Sequence, residues 1–243
     1  MSSISHLNSV YINYLTPLIK WRIMDLESLR RQCGSRPNYF HFARVIRKME
    51  KEKILSSYKH RFNGKKYLFF NSFGERQITG IQNPTGVSKD SIIHDLKVSE
   101  LTMTLLESGL IDDVSLEHEL QNKRNFRQTY RVIPDALLEI NQGDKKQKLA
   151  LELELTQKQK QRIREKAKQY MISSKYDFVI YVFPNKRMLQ MYMQEIMSSV
   201  GSKYFNRFVF ITDESITIKK TNLLEFDCYR ANKVYPFCEF LKV

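Results

Sequence analysis

Three carboxylates carry the chemistry this chain can be read for. In Lys148–Thr156, KLALELELT, a two-residue period puts Leu149, Leu151, Leu153 and Leu155 on one side of a strand and Ala150, Glu152, Glu154 and Thr156 on the other. Glu152 and Glu154 then lie roughly 7 Å apart on one face and repel. A divalent cation is a common reason for a fold to keep such a pair, and Asp135, just after Pro134, offers a third oxygen ligand. The alternative is an edge strand with a solvated acidic face.

Positioning these groups takes an α/β framework. Ser91–Leu106 shows Ile93, Leu96, Leu101 and Leu105 at helical spacing, and VSLEHEL alternates as a strand would. YRVIPDALLEI reads as a second strand interrupted by Pro134, a residue expected at an edge or bulge. The acidic strand follows the turn Asn141-Gln142-Gly143-Asp144. A helix is expected over about Lys158–Met171, then a strand DFVIYVF buried on both sides, a helix KRMLQMYMQEIMSSV with a core stripe, and a strand RFVFIT. The order helix, three strands, helix, strand, helix, strand predicts an α/β sandwich with a mixed sheet.

The front of the chain is a different kind of object. Residues 1–86 hold 15 Lys and Arg against 5 Asp and Glu, whereas the remainder holds 25 against 21. Most of the net charge of +14 therefore sits in the first third, and a polyanion, nucleic acid before a membrane surface or acidic protein, is the expected partner. Leu7, Val10, Tyr11, Tyr14, Leu15 and Leu18 mark a first helix that Thr16-Pro17 is expected to split. Asp25 caps a second helix ending before Gly34, and YFHFARVIRKMEKEK forms a third with Phe42, Val45, Ile46 and Met49 inward. ILSSYKH and KKYLFFN flank Asn63-Gly64, a strong hairpin signal. Three helices and a basic hairpin look like a winged helix-turn-helix. In that arrangement Arg36, Arg44, Arg47, Lys48, Lys59, Arg61, Lys65 and Lys66 would contact DNA, mainly its phosphates. The alternative is a small helical domain with a solvated basic face. Residues 79–89, TGIQNPTGVSK, have linker composition and divide the chain into 1–85 and 86–243.

Composition sets outer limits. At 42% hydrophobic and 27% charged the 243-residue chain is globular. Its longest apolar run, Phe178–Phe183, is far short of the roughly 20 residues of a membrane helix, and a cytoplasmic location is expected. Cys33, Cys228 and Cys238 have no metal-ligand spacing and read as reduced thiols.

Pro134 and Asp135, followed 17 residues later by an acidic pair on an apolar strand and then a Lys-bearing helix, resemble the PD-(D/E)xK restriction-endonuclease-like nucleases. That resemblance implies Asp135 and Glu152 as ligands of Mg²⁺ or Mn²⁺. Glu154 stands where the motif has lysine, so the ammonium role passes to Lys166 on the next helix, with Lys158 and Lys160 as alternatives. Glu100 would add a fourth carboxylate to the metal set.

The two-part chain narrows the likeness. A winged helix followed by HDLKVSELTMTLL, IPDALLEI, ALELELT and KAKQY is similar to the replication-relaxation family and, within it, to the MobC/TraX-type conjugative relaxases. The resemblance implies a metal-dependent relaxase that nicks one strand of double-stranded plasmid DNA at a transfer origin, working with a coupling protein or other relaxosome component. His94, opening HDL, is the candidate histidine beside the active site; its alternative is a helix-start residue bonded to backbone. Tyr130 and Tyr170 lie nearest the motif as conceivable covalent nucleophiles, and metal-bound water is the first choice. Two rivals stand: a non-enzymatic regulator of plasmid replication or transcription whose second domain only dimerises, and a structure-specific or element-end endonuclease with the same chemistry.

Overall fold

The computed structural model describes residues 9–34, 37–82, 84, 86–122, 132–142 and 145–242, and it divides into two compact units, Met1–Ser99 and Glu100–Val243. The division falls inside a helix, Ile92–Glu107, and the linker-like stretch 79–89 belongs to the first unit.

In the first unit, α1 (Ser9–Trp21), β1 (Ile23–Asp25), α2 (Leu26–Gln32), α3 (Tyr39–Lys51), β2 (Leu55–Lys59), β3 (Lys66–Phe70) and α4 (Ser72–Thr79) precede α5 (Ile92–Glu107). The three strands form an antiparallel sheet in the order β1-β3-β2. Asp25 caps α2, accepting from the Glu27 and Ser28 amides, and Asn38 caps α3 in the same way. The inward stripe of α3 is as its spacing requires, with Phe42, Val45, Ile46 and Met49 all buried. Pro17 does not split α1: the helix runs through it. Strand β1 and helix α4 escape periodicity because one has three residues and the other follows its strand after one residue, Asn71. Gly74 in α4 is forced, since a Cβ there would meet the Ile54 carbonyl oxygen at 1.9 Å.

The second unit is a mixed α/β structure around a seven-stranded sheet in the order β10-β9-β8-β7-β6-β5-β4. Its elements after α5 are β4 (Asp113–Leu116), α6 (Glu117–Asn122), β5 (Ala136–Gln142), β6 (Lys145–Leu153), α7 (Lys160–Ile172), β7 (Phe178–Phe183), α8 (Lys186–Phe205), β8 (Phe208–Thr212), β9 (Asp227–Arg230), β10 (Lys233–Pro236) and α9 (Phe237–Phe240). Strands β6, β7 and β8 are parallel neighbours and the other pairings are antiparallel.

Several expectations need correcting. The acidic strand is not an edge: β6 lies between β5 and β7, and its last five residues are buried. VSLEHEL is a strand only to Leu116; the Glu119 carboxylate accepts from the Leu116 amide at 2.8 Å and turns the chain into α6. Pro134 does not interrupt a strand, because β5 starts two residues later. RFVFIT does not close the sheet, which continues into the β9–β10 hairpin. The core of this unit packs α7 and α8 on the Ala150 side of β6, where Ile163, Ala167, Tyr170, Tyr181, Tyr192 and Ile196 meet. The methionines and leucines of α8 are core, as their stripe suggests.

Candidate active site

Antiparallel pairing of β5 and β6 places Ala136 opposite Leu151, so Asp135 falls level with Glu152. Its Oδ2 accepts the Leu153 amide at 2.7 Å, which fixes the carboxylate at the β6 terminus. On the other side, parallel pairing sets Glu152 beside Tyr181 of β7, and the Glu154 amide donates to the Val182 carbonyl at 3.0 Å. The sheet thus delivers three carboxylates to one region, from two strand ends that meet only in the fold.

Helix α7 brings the cation. Ile163, Ala167 and Tyr170 face the core, and Lys166 precedes Tyr170 by one turn, so both side chains reach the same spot. Lys166 Nζ lies 2.6 Å from Glu152 Oε2, and the Tyr170 hydroxyl donates to Glu152 Oε1. Glu152 is 1% exposed, whereas the Lys166 side chain keeps 29% of its surface open. The cluster therefore reaches solvent through its lysine and through Asp135, which is itself partly exposed.

The electrostatics follow from crowding. Burial pushes Glu152 from its ordinary 4.5 up to about 7; the Lys166 charge pulls down and Asp135 pushes up again. Glu154, 7% exposed, is raised by burial, with Lys166 opposing and Asp135 adding. Burial alone would lower the Lys166 ammonium, but Glu152, Asp135 and Glu154 outweigh it and raise it, so this group stays charged. The Tyr170 hydroxyl is raised well above its usual range by burial and by Glu152. It is a proton donor to Glu152, which removes it as a ready nucleophile; Tyr130 lies outside the described residues.

Other expected residues fall elsewhere. Lys160 is engaged 3.1 Å from Glu195, which it shares with Arg164 at 2.6 Å, so it is not the cluster's ammonium. Lys158 bears on Glu154 only through its charge. Glu100 is buried on α5 and is not among the charges acting most strongly on Glu152 or Glu154. His94 belongs to the first unit, with Nδ1 3.5 Å from Asp95.

Two aromatic neighbours were not anticipated. Tyr181 stands inside the apolar run of β7, and Tyr192 inside the Met/Leu stripe of α8. The Tyr192 hydroxyl is buried beside Glu154 without meeting hydrogen-bond geometry to any group among the described residues. The only sequence signal for either was a polar tip on an otherwise apolar face.

The donor set is all oxygen and mutually repelling, which suits a hard divalent cation such as Mg²⁺ or Mn²⁺. Among the described residues, however, no three His, Cys, Asp or Glu side chains converge closely enough to hold a metal ion. Lys166 and Tyr170 occupy the two Glu152 oxygens, and Leu153 occupies one of Asp135.

The basic face of the first unit is built separately. Arg44, Arg47 and Lys48 are exposed on α3, and Lys59, Arg61, Lys65 and Lys66 on the β2–β3 hairpin; Arg36 lies outside the described residues. Lys66 reaches Glu50 of α3 at 2.7 Å and so ties hairpin to helix, and Lys48 approaches Glu52 at 3.7 Å. Comparison of the chain with protein-family models, with curated proteins and with solved structures finds no match. No helix among the described residues is long and apolar enough to cross a membrane.

Proposed function

We propose that this chain is a metal-dependent DNA endonuclease that nicks one strand, a plasmid-mobilisation relaxase of the replication-relaxation type. The observation that carries the reading is the meeting of Lys166 with Glu152 at 2.6 Å beside Asp135 and Glu154. Those groups come from three separate stretches, and they are the acids and the migrated lysine that a restriction-endonuclease-like site calls for. The cost of burying like charges together argues for a role that a merely structural core would not need.

To hold Mg²⁺ or Mn²⁺, Asp135, Glu152 and Glu154 would have to draw closer together than they stand here, with Glu152 released from Lys166 or Tyr170, and the ion when bound would supply a water of lowered pKa. Lys166 is a fixed cation, not a base: it can orient the attacking water and stabilise charge that develops on the phosphate oxygens. Tyr170 holds the Glu152 carboxylate in place from the core side. The first unit supports the DNA half of the reading. Its three helices α1–α3 and sheet β1-β3-β2 suit a winged helix, and exposed Arg44, Arg47, Lys59, Arg61 and Lys65 lie on the helix and hairpin which that fold would offer to a duplex.

The test separates enzyme from regulator. Supercoiled plasmid carrying the transfer origin should become nicked on addition of Mg²⁺ or Mn²⁺, and titration calorimetry should show Mn²⁺ binding. Salt-sensitive DNA binding with neither nicking nor Mn²⁺ uptake at millimolar concentration would leave the non-enzymatic regulator standing.

A further inference from the structure

The hairpin between β2 and β3 carries more than charge. Phe62 is 67% exposed at its tip, flanked by exposed Arg61, Asn63, Gly64 and Lys65. An aromatic ring left in water forgoes the stabilisation its burial would bring. The turn beneath it is not slack. His60 is 2% exposed, and its Nδ1 accepts the amides of both Phe62 and Asn63 at 3.3 Å. Asn63 accepts the Lys65 amide at 2.9 Å and donates to the buried Tyr67 hydroxyl at 3.2 Å. Gly64, at φ +66, completes a loop closed by His60 N to Lys65 O at 2.8 Å and Gly64 N to His60 O at 3.0 Å. The Phe62 ring leans on the His60 ring at 6.0 Å between centroids, which limits where it can point.

A rigid turn thus presents a flat apolar ring amid Lys59, Arg61 and Lys65, three cations without an ion pair among the described residues. A solvated basic face would not need that ring, and an apolar protein partner would not be matched by that charge. Nucleic acid supplies both complements, a π-face on every base and a phosphate on either side. We propose that Phe62 stacks on a nucleobase, with Lys59, Arg61 and Lys65 holding the flanking phosphates, so that the hairpin grips bases as well as backbone. This rests on the reading of the first unit as DNA-binding.

The experiment uses the full chain and a short mixed-sequence oligonucleotide, single-stranded and as duplex, at low salt. Phe62→Ala should weaken binding roughly 5- to 100-fold while the slope of log Kd against log salt stays put, because stacking is lost and phosphate contacts are not. Phe62→Trp should keep parental affinity, and its new emission should be quenched on binding; the one native tryptophan, Trp21, is buried and gives the baseline. Equal affinities for the parent and Phe62→Ala proteins overturn the stacking proposal and leave DNA binding intact. A parent protein that binds neither oligonucleotide overturns both.

Discussion

Burial raises the proton affinity of Glu152 and the Lys166 charge restrains it, and this can be read from stability without any substrate. In the parent protein Glu152 titrates near 7 when folded and at its ordinary 4.5 when unfolded. Between those values the folded chain holds a proton that the unfolded chain has released, so stability must fall as pH rises. The loss is about 1.4 kcal/mol per pH unit and roughly 3 kcal/mol over the window, to order of magnitude. Replacing Lys166 with Met removes the charge that pulls Glu152 down and leaves Asp135, which pushes it up. The folded pKa then climbs further, and the decline should continue above pH 7 at the same slope of about 1.4 kcal/mol per unit. Urea unfolding across this range, followed by far-ultraviolet circular dichroism, measures it. The single tryptophan, Trp21, lies in the first unit and supplies an internal control whose pH profile should not move. If the second-unit profiles of the parent and Lys166→Met proteins differ only by a constant, the ammonium does not govern Glu152 and the described coupling is wrong.

Tyr170→Phe removes a hydrogen bond that favours the charged form of Glu152; it should cost about 1–3 kcal/mol and widen the same pH window, checked by the same unfolding series. Gly74→Ala drives a methyl group into the Ile54 carbonyl and should destabilise the first unit by at least 1–3 kcal/mol, roughly the cost of overpacking, seen as an earlier Trp21 transition. Arg61→Ala and Lys65→Ala should each lower the salt slope of DNA binding by about 1, whereas Lys66→Ala, whose charge is held by Glu50, should lower it less.

The elements that carry strong periodicity were legible: α3, β6, β7 and α8 follow from apolar spacing alone. What spacing could not show is neighbourhood. Alternating Leu and Glu in β6 suits a solvated edge, yet pairing with β5 and β7 buries Glu152, and only the partners decide that. The β9–β10 hairpin was hidden because its two-residue turn, Ala231-Asn232, takes positive φ at both positions without a glycine to announce it. Helix α6 was hidden because six residues are too few to display a period. Within the site, Asp135, Glu152 and Glu154 stood out by type and spacing, whereas Lys166 entered only through the likeness to restriction-endonuclease-like nucleases, and the fold sets it against Glu152. The roles of Tyr170, Tyr181 and Tyr192 were not legible, since each reads as core until a carboxylate is placed beside its hydroxyl. Lys160, nearer than Lys166 to the acids in sequence, was diverted by Glu195 from α8, a partner 35 residues away that no local pattern reveals.

We propose that Asp135 and Glu152 serve the nicking of DNA. The most direct test of this proposal is the nicking of supercoiled origin plasmid with Mn²⁺ by the parent protein and by Asp135→Ala and Glu152→Gln proteins shown to fold by circular dichroism. The account predicts nicking by the parent and none by either variant, with DNA binding unchanged in both. Nicking that persists in a folded variant at the parental rate would contradict it.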